Sequence, residues 1–256
     1  MRLAVWPHAP ARALGDVLAG VVTEVVEVAP YEAATALLEG RADLALVPTL
    51  AVLRDPDAFS VAGGVAFAGE RCPTARLVVG SSLDELKTVA FDPRQAQEVL
   101  LSSIVLREHF GAQPSVTPVD PALGLADLLG RFNAVLTGDV RDVPEGAVVL
   151  DPGQEWLDLT LRPFVWGLLA APAGRLTPAQ VRALAEAARA AEPPPEAFDA
   201  DGALVYQYTL DGYASDGLEE FARHLFYHGA LADVPTVPFV GTGEPAGDAT
   251  DEENDG

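Results

Sequence analysis

Short apolar runs rich in β-branched residues alternate along the chain with longer segments of helical period, and that alternation constrains the fold most. Residues 3–6, 21–28 and 42–47 read as strands, separated by helices over 12–18 and 31–38, the second stopped by Gly40. Pro48 then opens a short helix. Residues 76–79 and 88–91 are further strands, and Asp92-Pro93 begins a helix that runs to Phe110 and stops at Gly111. Strands over 115–119 and 133–136 flank a helix over 123–129. A strand over 165–170 is followed by helices over 178–191, near 204–213 and over 217–228, with Pro193-Pro194-Pro195 a stiff break between the first two. The pattern predicts an α/β protein.

The order of elements predicts two lobes. The block 84–163 has strands and a long helix of its own, and the strand at 164 returns the chain to where it started. The first lobe is then residues 1–83 with 164–239, the second is 84–163, and 240–256 forms a disordered acidic tail without basic residues. Two crossings between lobes leave a cleft, where strand C-termini and helix N-termini attract a ligand, anions above all.

Charge narrows the partners. With 16 Lys and Arg against 38 Asp and Glu, the net charge of −22 leaves no basic stripe for nucleic acid and disfavours anionic lipid. An apolar content of 49% in 256 residues supports a sizeable core. One cysteine excludes an internal disulfide framework and a multi-thiolate zinc site. No apolar run approaches the ~20 residues that span a bilayer, and the first residues lack the apolar core of a secretory signal, so a cytoplasmic location is expected. Neither GxGxxG nor GxxxxGK[ST] is present.

Candidate ligand contacts fall at the strand ends. His8 follows the first strand and Thr49 follows the third. Arg94, Gln95 and Gln97 open the long helix, where Glu98 would repel an anion if it faced the same way. Gly138 and Asp139 end another strand. Each also has a structural reading: Thr49 and Asp92 as helix caps, Gly138-Asp139 as a turn. His224 and His228 lie four apart on a helix without an HExxH pattern or a third ligand, so they read as surface residues near a helix end. Cys72 has no histidine partner and reads as an unreactive thiol.

Several segments resemble one family, the chorismate dehydratases of the futalosine route to menaquinone. They are the LLEGRADLALVP stretch at 37–48, Val89-Ala90-Phe91-Asp92-Pro93 before a helix, Leu136-Thr137-Gly138-Asp139, the run Leu150-Asp151-Pro152-Gly153-Gln154-Glu155-Trp156 with Leu161-Arg162-Pro163-Phe164-Val165, and Gly217-Leu218-Glu219-Glu220-Phe221. The resemblance implies a two-lobed, type II periplasmic-binding-protein-like fold with the ligand between the lobes. It implies a lyase that removes water from chorismate to give 3-[(1-carboxyvinyl)oxy]benzoate, without metal or organic cofactor. The substrate's own carboxylate serves as base in such enzymes. The partner is then a small dicarboxylate, held by Arg94 and helix N-termini, oriented by His8, Thr49 and Gln97, with Asp139 on a hydroxyl. The chain also departs from the pattern. Trp6-Pro7-His8 replaces an asparagine-bearing turn, and Pro48-Thr49, Ala66-Phe67 and Arg94-Gln95-Ala96-Gln97 replace serine-rich ones. Those departures leave open a non-catalytic paralogue that binds a small carboxylate. A lyase acting on another aromatic intermediate would need a histidine base that has no clear counterpart here.

Overall fold

The computed structural model describes residues 1–80 and 82–241. The elements are β1 (Arg2–Val5), α1 (Ala9–Val17), β2 (Glu24–Glu27), α2 (Pro30–Leu38), β3 (Leu44–Pro48), α3 (Thr49–Arg54), β4 (Phe59–Gly69), β5 (Arg76–Val79), β6 (Thr88–Phe91), α4 (Ala96–Glu108), β7 (Ser115–Pro118), α5 (Leu125–Leu129), β8 (Ala134–Thr137), β9 (Val148–Leu150), α6 (Pro152–Thr160), β10 (Phe164–Pro172), α7 (Pro178–Ala190), β11 (Tyr206–Thr209), α8 (Gly212–Tyr227) and β12 (Phe239–Val240).

They build two sheets, one per lobe. The larger runs β11-β4-β10-β3-β1-β2, with β12 added to β4; the smaller runs β7-β6-β8-β5-β9. β1 lies parallel to β2 and β3, and β10 returns antiparallel between β3 and β4. Leu3, Ala4 and Val5 on β1 and Leu44 to Val47 on β3 are buried, as parallel strands covered on both faces require. Helix starts carry the expected chemistry. Asp151 caps α6, Asp211 caps α8, and Thr177 with Gln180 forms a capping box on α7, which also has a proline in its first turn.

Four expectations change. The segment near 204–213 is a strand, β11, rather than a helix; Tyr206 and Tyr208 face inward with period two and flank β4. β4 was not expected from the sequence: Phe59, Val61, Val65 and Phe67 alternate with small residues, but Gly63-Gly64 interrupts that pattern and the strand is buried on both faces. β5 belongs to the second sheet, antiparallel to β8 and β9, so the sheets divide between Gly69 and Arg76, not at 83/84. The long helix starts at Ala96, because Asp92 folds its carboxylate back onto Arg94 instead of capping a helix at Pro93. The acidic tail expected over 240–256 lies, from residue 242 on, outside the described residues, and Val240 pairs with β4.

The two chain crossings are tied to each other. On the first crossing, the Cys72 N–H donates to Asp151 Oδ1 at 2.7 Å, and Arg76 Nη2 pairs with Asp151 Oδ2 at 3.1 Å. Asp151 opens the second crossing and also accepts from the N–H groups of Gly153 and Gln154. Gly153 is pressed against the first crossing: a Cβ there would lie 2.6 Å from the Arg71 carbonyl carbon. Gly217 on α8 is equally close to Pro163, with a Cβ position 2.2 Å from its oxygen. Trp156 is buried edge-on against Phe164 and Phe221.

Candidate functional site

A cavity of about 250 Å³ opens between the lobes at the C-terminal ends of β1, β3 and β6. Trp6, Pro48, Leu50 and Ala51 from the first lobe give it an apolar floor. Pro30, Tyr31 and Ala34 on α2 form one wall, and Pro93 to Glu98 at the start of α4 form the facing wall. Trp6 is fixed by its indole N–H, which donates to the Leu46 oxygen at 2.7 Å, and by edge-on contact with Phe67.

Two guanidinium groups reach this cavity from opposite lobes. Arg94 comes from the second lobe and Arg54, the last residue of α3, from the first. Arg54 is exposed and makes no ion pair among the described residues. Arg94 places its guanidinium carbon 5.7 Å from the centre of the Tyr31 ring, across the gap. Its Nε lies 2.9 Å from both carboxylate oxygens of Asp92, and its Nη2 lies 2.5 Å from Oδ2. Partial burial alone would push the Asp92 carboxyl up, but the Arg94 hydrogen bonds outweigh it and hold Asp92 below its ordinary value. Arg94 is raised in turn, chiefly by the same hydrogen bonds, and stays charged.

Of the seven candidates taken from the sequence, Arg94 and Gln97 line the cavity. Gln97 is nevertheless a strut: its Oε1 accepts from the Leu50 N–H and its Nε2 donates to the Trp166 oxygen, both at 2.8 Å. A buried amide bonded at both ends across the lobe boundary joins the lobes and is held in one orientation. Thr49 is fully buried and donates to the Val165 oxygen at 2.6 Å, so it too serves the scaffold. His8 occupies the N-cap position of α1 without a capping bond and does not line the cavity. Burial first, and Arg12 next, lower its pKa and favour the neutral ring. Gln95, at the N-cap of α4, has a buried Oε1 without a hydrogen-bond partner. Gly138 lies just behind it, where a Cβ would sit 2.9 Å from the Thr74 oxygen. Asp139 turns to solvent and pairs with Arg141, which holds it at about 2.

Sequence reasoning missed Arg54 and Tyr31 and underrated Glu98. Tyr31 was within reach, because it follows β2 at the strand-end position that drew attention to His8 and Thr49. Arg54 carries no such signal, since α3 brings it back over the cavity one and a half turns after β3. Glu98 is buried beside the cavity and accepts from Thr74 Oγ1 at 2.6 Å. Burial pushes its carboxyl up, the Thr74 hydrogen bond and its own N–H oppose that, and the Asp92 charge adds to it. Cys72 is buried 3.5 Å from the Thr74 hydroxyl, and burial, then the Glu98 charge, push the thiol up to about 12.

The remaining histidines lie elsewhere. His224 and His228 are mostly buried along α8, rather than on the surface, and contact Glu220 and Glu108. Among the described residues no group of three or more His, Cys, Asp and Glu is placed to hold a metal. No helix among them is long and apolar enough to cross a membrane.

Fold and cavity together define a two-lobed α/β protein of the periplasmic-binding-protein-like fold class, with a cavity between the lobes. A sequence model of a family described as menaquinone biosynthesis matches residues 1–224, and the chain belongs to that family. Solved structures share the fold. Protein AF1704 from Archaeoglobus fulgidus is similar with a TM-score of 0.61 at 14% identity, covering 90% of this chain and 98% of its own. An ABC transporter structure from Parabacteroides distasonis gives 0.60 at 16% identity, covering 94% and 98%. The alkanesulfonate-binding protein SsuA from Xanthomonas axonopodis pv. citri, bound to MOPS, gives 0.55 at 17% identity, covering 92% and 94%. No curated protein matches the chain by sequence.

Proposed function

We propose that the protein is a chorismate dehydratase-like lyase of menaquinone biosynthesis, removing water from chorismate to leave 3-[(1-carboxyvinyl)oxy]benzoate. One observation carries the reading: in a chain of net charge −22, the cavity between the lobes is bordered by two guanidinium groups, Arg54 and Arg94, one from each lobe. A rigid metabolite with two carboxylates suits that pair, because guanidinium groups recognise carboxylates through directed, charge-assisted hydrogen bonds. The cavity volume of about 250 Å³ falls below the ~300–1,000 Å³ of drug-sized sites, which matches one six-membered ring with two acidic arms. Trp6, Leu50 and Ala51 offer the ring an apolar floor, and binding there strips water from a substrate whose aromatisation drives the elimination. The fixed strut of Gln97 holds the two walls in register, so the enzyme's contribution is orientation and electrostatics.

The test is incubation of the full chain with chorismate, following loss of diene absorbance and a product lighter by one water. Arg54→Ala and Arg94→Ala are each expected to raise KM about tenfold or more, since each removes one charge-assisted contact. Tight binding without turnover would assign the protein instead to non-catalytic carboxylate binding. Neither turnover nor a thermal shift with chorismate would exclude both.

A further inference from the structure

The two arginines of the cavity are held very differently. Arg54 is exposed and makes no ion pair among the described residues. Arg94 is fixed along one edge and on one face. The Asp92 carboxylate accepts from the Arg94 backbone N–H at 3.0 Å, from Nε at 2.9 Å and from Nη2, so the side chain is folded back over its own turn. A guanidinium has five N–H donors. Asp92 takes the one on Nε and one on Nη2, which leaves the pair on Nη1 and the second on Nη2 unused by it. Those donors form the outer end of the fork, which grips a carboxylate with two parallel hydrogen bonds. The face of the guanidinium is covered from the opposite lobe, its carbon lying 5.7 Å from the centre of the Tyr31 ring. Tyr31 stands in the first turn of α2, whose Ala33, Ala36 and Leu37 are buried, so a packed helix carries a ring that is itself half exposed.

We propose that Tyr31 is a positioning residue for substrate binding: its ring backs Arg94 from across the cleft and holds the outer end of the guanidinium at the cavity for a carboxylate. The inference rests on the dehydratase reading for its substrate and adds a residue to the same site. An arginine that must be frozen when the ligand arrives loses rotamer freedom at that moment, whereas one already held between a carboxylate and a ring does not. Asp92 alone cannot do this. It belongs to the same turn as Arg94, so it fixes the edge of the guanidinium within the second lobe but not its place relative to the first. Tyr31 belongs to the first lobe, and its contact with Arg94 exists only at the lobe spacing seen here. The Arg94 end of the cavity therefore orients a ligand whose charge Asp92 partly offsets, while the unpaired Arg54 on the other lobe supplies net positive charge. Neither residue moves a proton, in keeping with a substrate whose own carboxylate serves as base.

Tyr31→Leu removes the ring and keeps a bulky side chain on α2. It is expected to raise the KM for chorismate about two- to fivefold, the weight of an exposed cation–π contact, and to leave kcat unchanged. Tyr31→Phe keeps the ring and is expected to recover most of that loss. In an Arg94→Ala background, where no guanidinium remains to be positioned, Tyr31→Leu is expected to add nothing. A readout without turnover is the nitrogen–proton NMR signal of Arg94 Nε, which an aromatic ring over the guanidinium shifts upfield. That signal is expected to move in Tyr31→Leu and keep its place in Tyr31→Phe. Isophthalate, a six-membered ring with two carboxylates, is expected to titrate it more weakly in Tyr31→Leu than in the other two proteins. A KM rise that Tyr31→Phe shares with Tyr31→Leu, a fall in kcat in place of a rise in KM, or additive effects of Tyr31→Leu and Arg94→Ala each overturns the proposal. So does an Arg94 signal indifferent to the ring or to isophthalate. If wild type does not turn over chorismate, the choice of substrate fails, and the Arg94 signal with isophthalate decides the role of Tyr31 by itself.

Discussion

The crossing between the lobes and the wall of the cavity lie a few residues apart and are built on opposite rules. At the crossing the Asp151 carboxylate is fully engaged: it accepts from Cys72, Gly153 and Gln154 and pairs with Arg76. Backbones there touch so closely that Gly153 and Gly217 have no room for a side chain. At the cavity wall, Glu98 has no counter-charge, Gln95 Oε1 is buried without a partner and Arg54 makes no ion pair among the described residues. Some residues that carry the family resemblance, Asp151-Pro152-Gly153, Trp156, Pro163-Phe164 and Gly217, belong to the crossing, while Pro48 and Pro93 from two other matching segments line the cavity. The joint sets the lobes relative to each other, and the cavity wall tolerates unsatisfied groups.

The largest expected effect is at the joint. Asp151→Ala removes the α6 cap, the acceptor of three backbone N–H groups and the Arg76 pair, and is expected to cost about 2–4 kcal/mol in urea unfolding. A loss below 1 kcal/mol would mean that the crossing is not the tie described here. Gly153→Ala forces a Cβ to within 2.6–2.7 Å of the Arg71 and Cys72 backbone, and overpacking of this kind costs about 1–3 kcal/mol by the same measurement. Glu98→Gln tests the cavity side through pH. The folded-state pKa of Glu98 is raised above its unfolded value, so ionisation opposes folding. Its stabilising share is complete below the unfolded pKa and is lost as pH rises through the folded pKa. The thermal midpoint of Glu98→Gln should therefore gain on wild type as pH rises through that window, and a constant difference would contradict a buried, unpaired carboxyl. The smallest effect is at Leu161, the one non-glycine residue with positive φ among those described, at 55° and 69% exposed. Leu161→Gly relieves that conformation without uncovering core and should raise stability by up to about 1 kcal/mol in thermal unfolding.

Legibility in the sequence followed the same division. β1, β3, β5, β6 and α7 were readable because burial imposes a period or a solid apolar run on them, and proline and glycine punctuate their ends. β4 was not, since Gly63-Gly64 interrupts the alternation of Phe59, Val61, Val65 and Phe67 and both faces are buried. β11 was misread because Tyr206 and Tyr208 acquire their inward face only by pairing with β4. At the cavity, Arg94 was legible as a basic residue at a helix start. Thr49 and Gln97 read as ligand groups because their polar chemistry is visible in a sequence, while the partners they meet, Val165 and Trp166 more than sixty residues away, are not.

The sequence by itself determined the α/β class, the return of the chain to its first lobe and the resemblance to one family, all consequences of local period, turn residues and short motifs. Only the tertiary structure decided which polar side chains are free. Whether Gln97 braces or binds, and whether Glu98 is charged, depends on groups brought within 3 Å from distant parts of the chain, and on the water that their packing excludes.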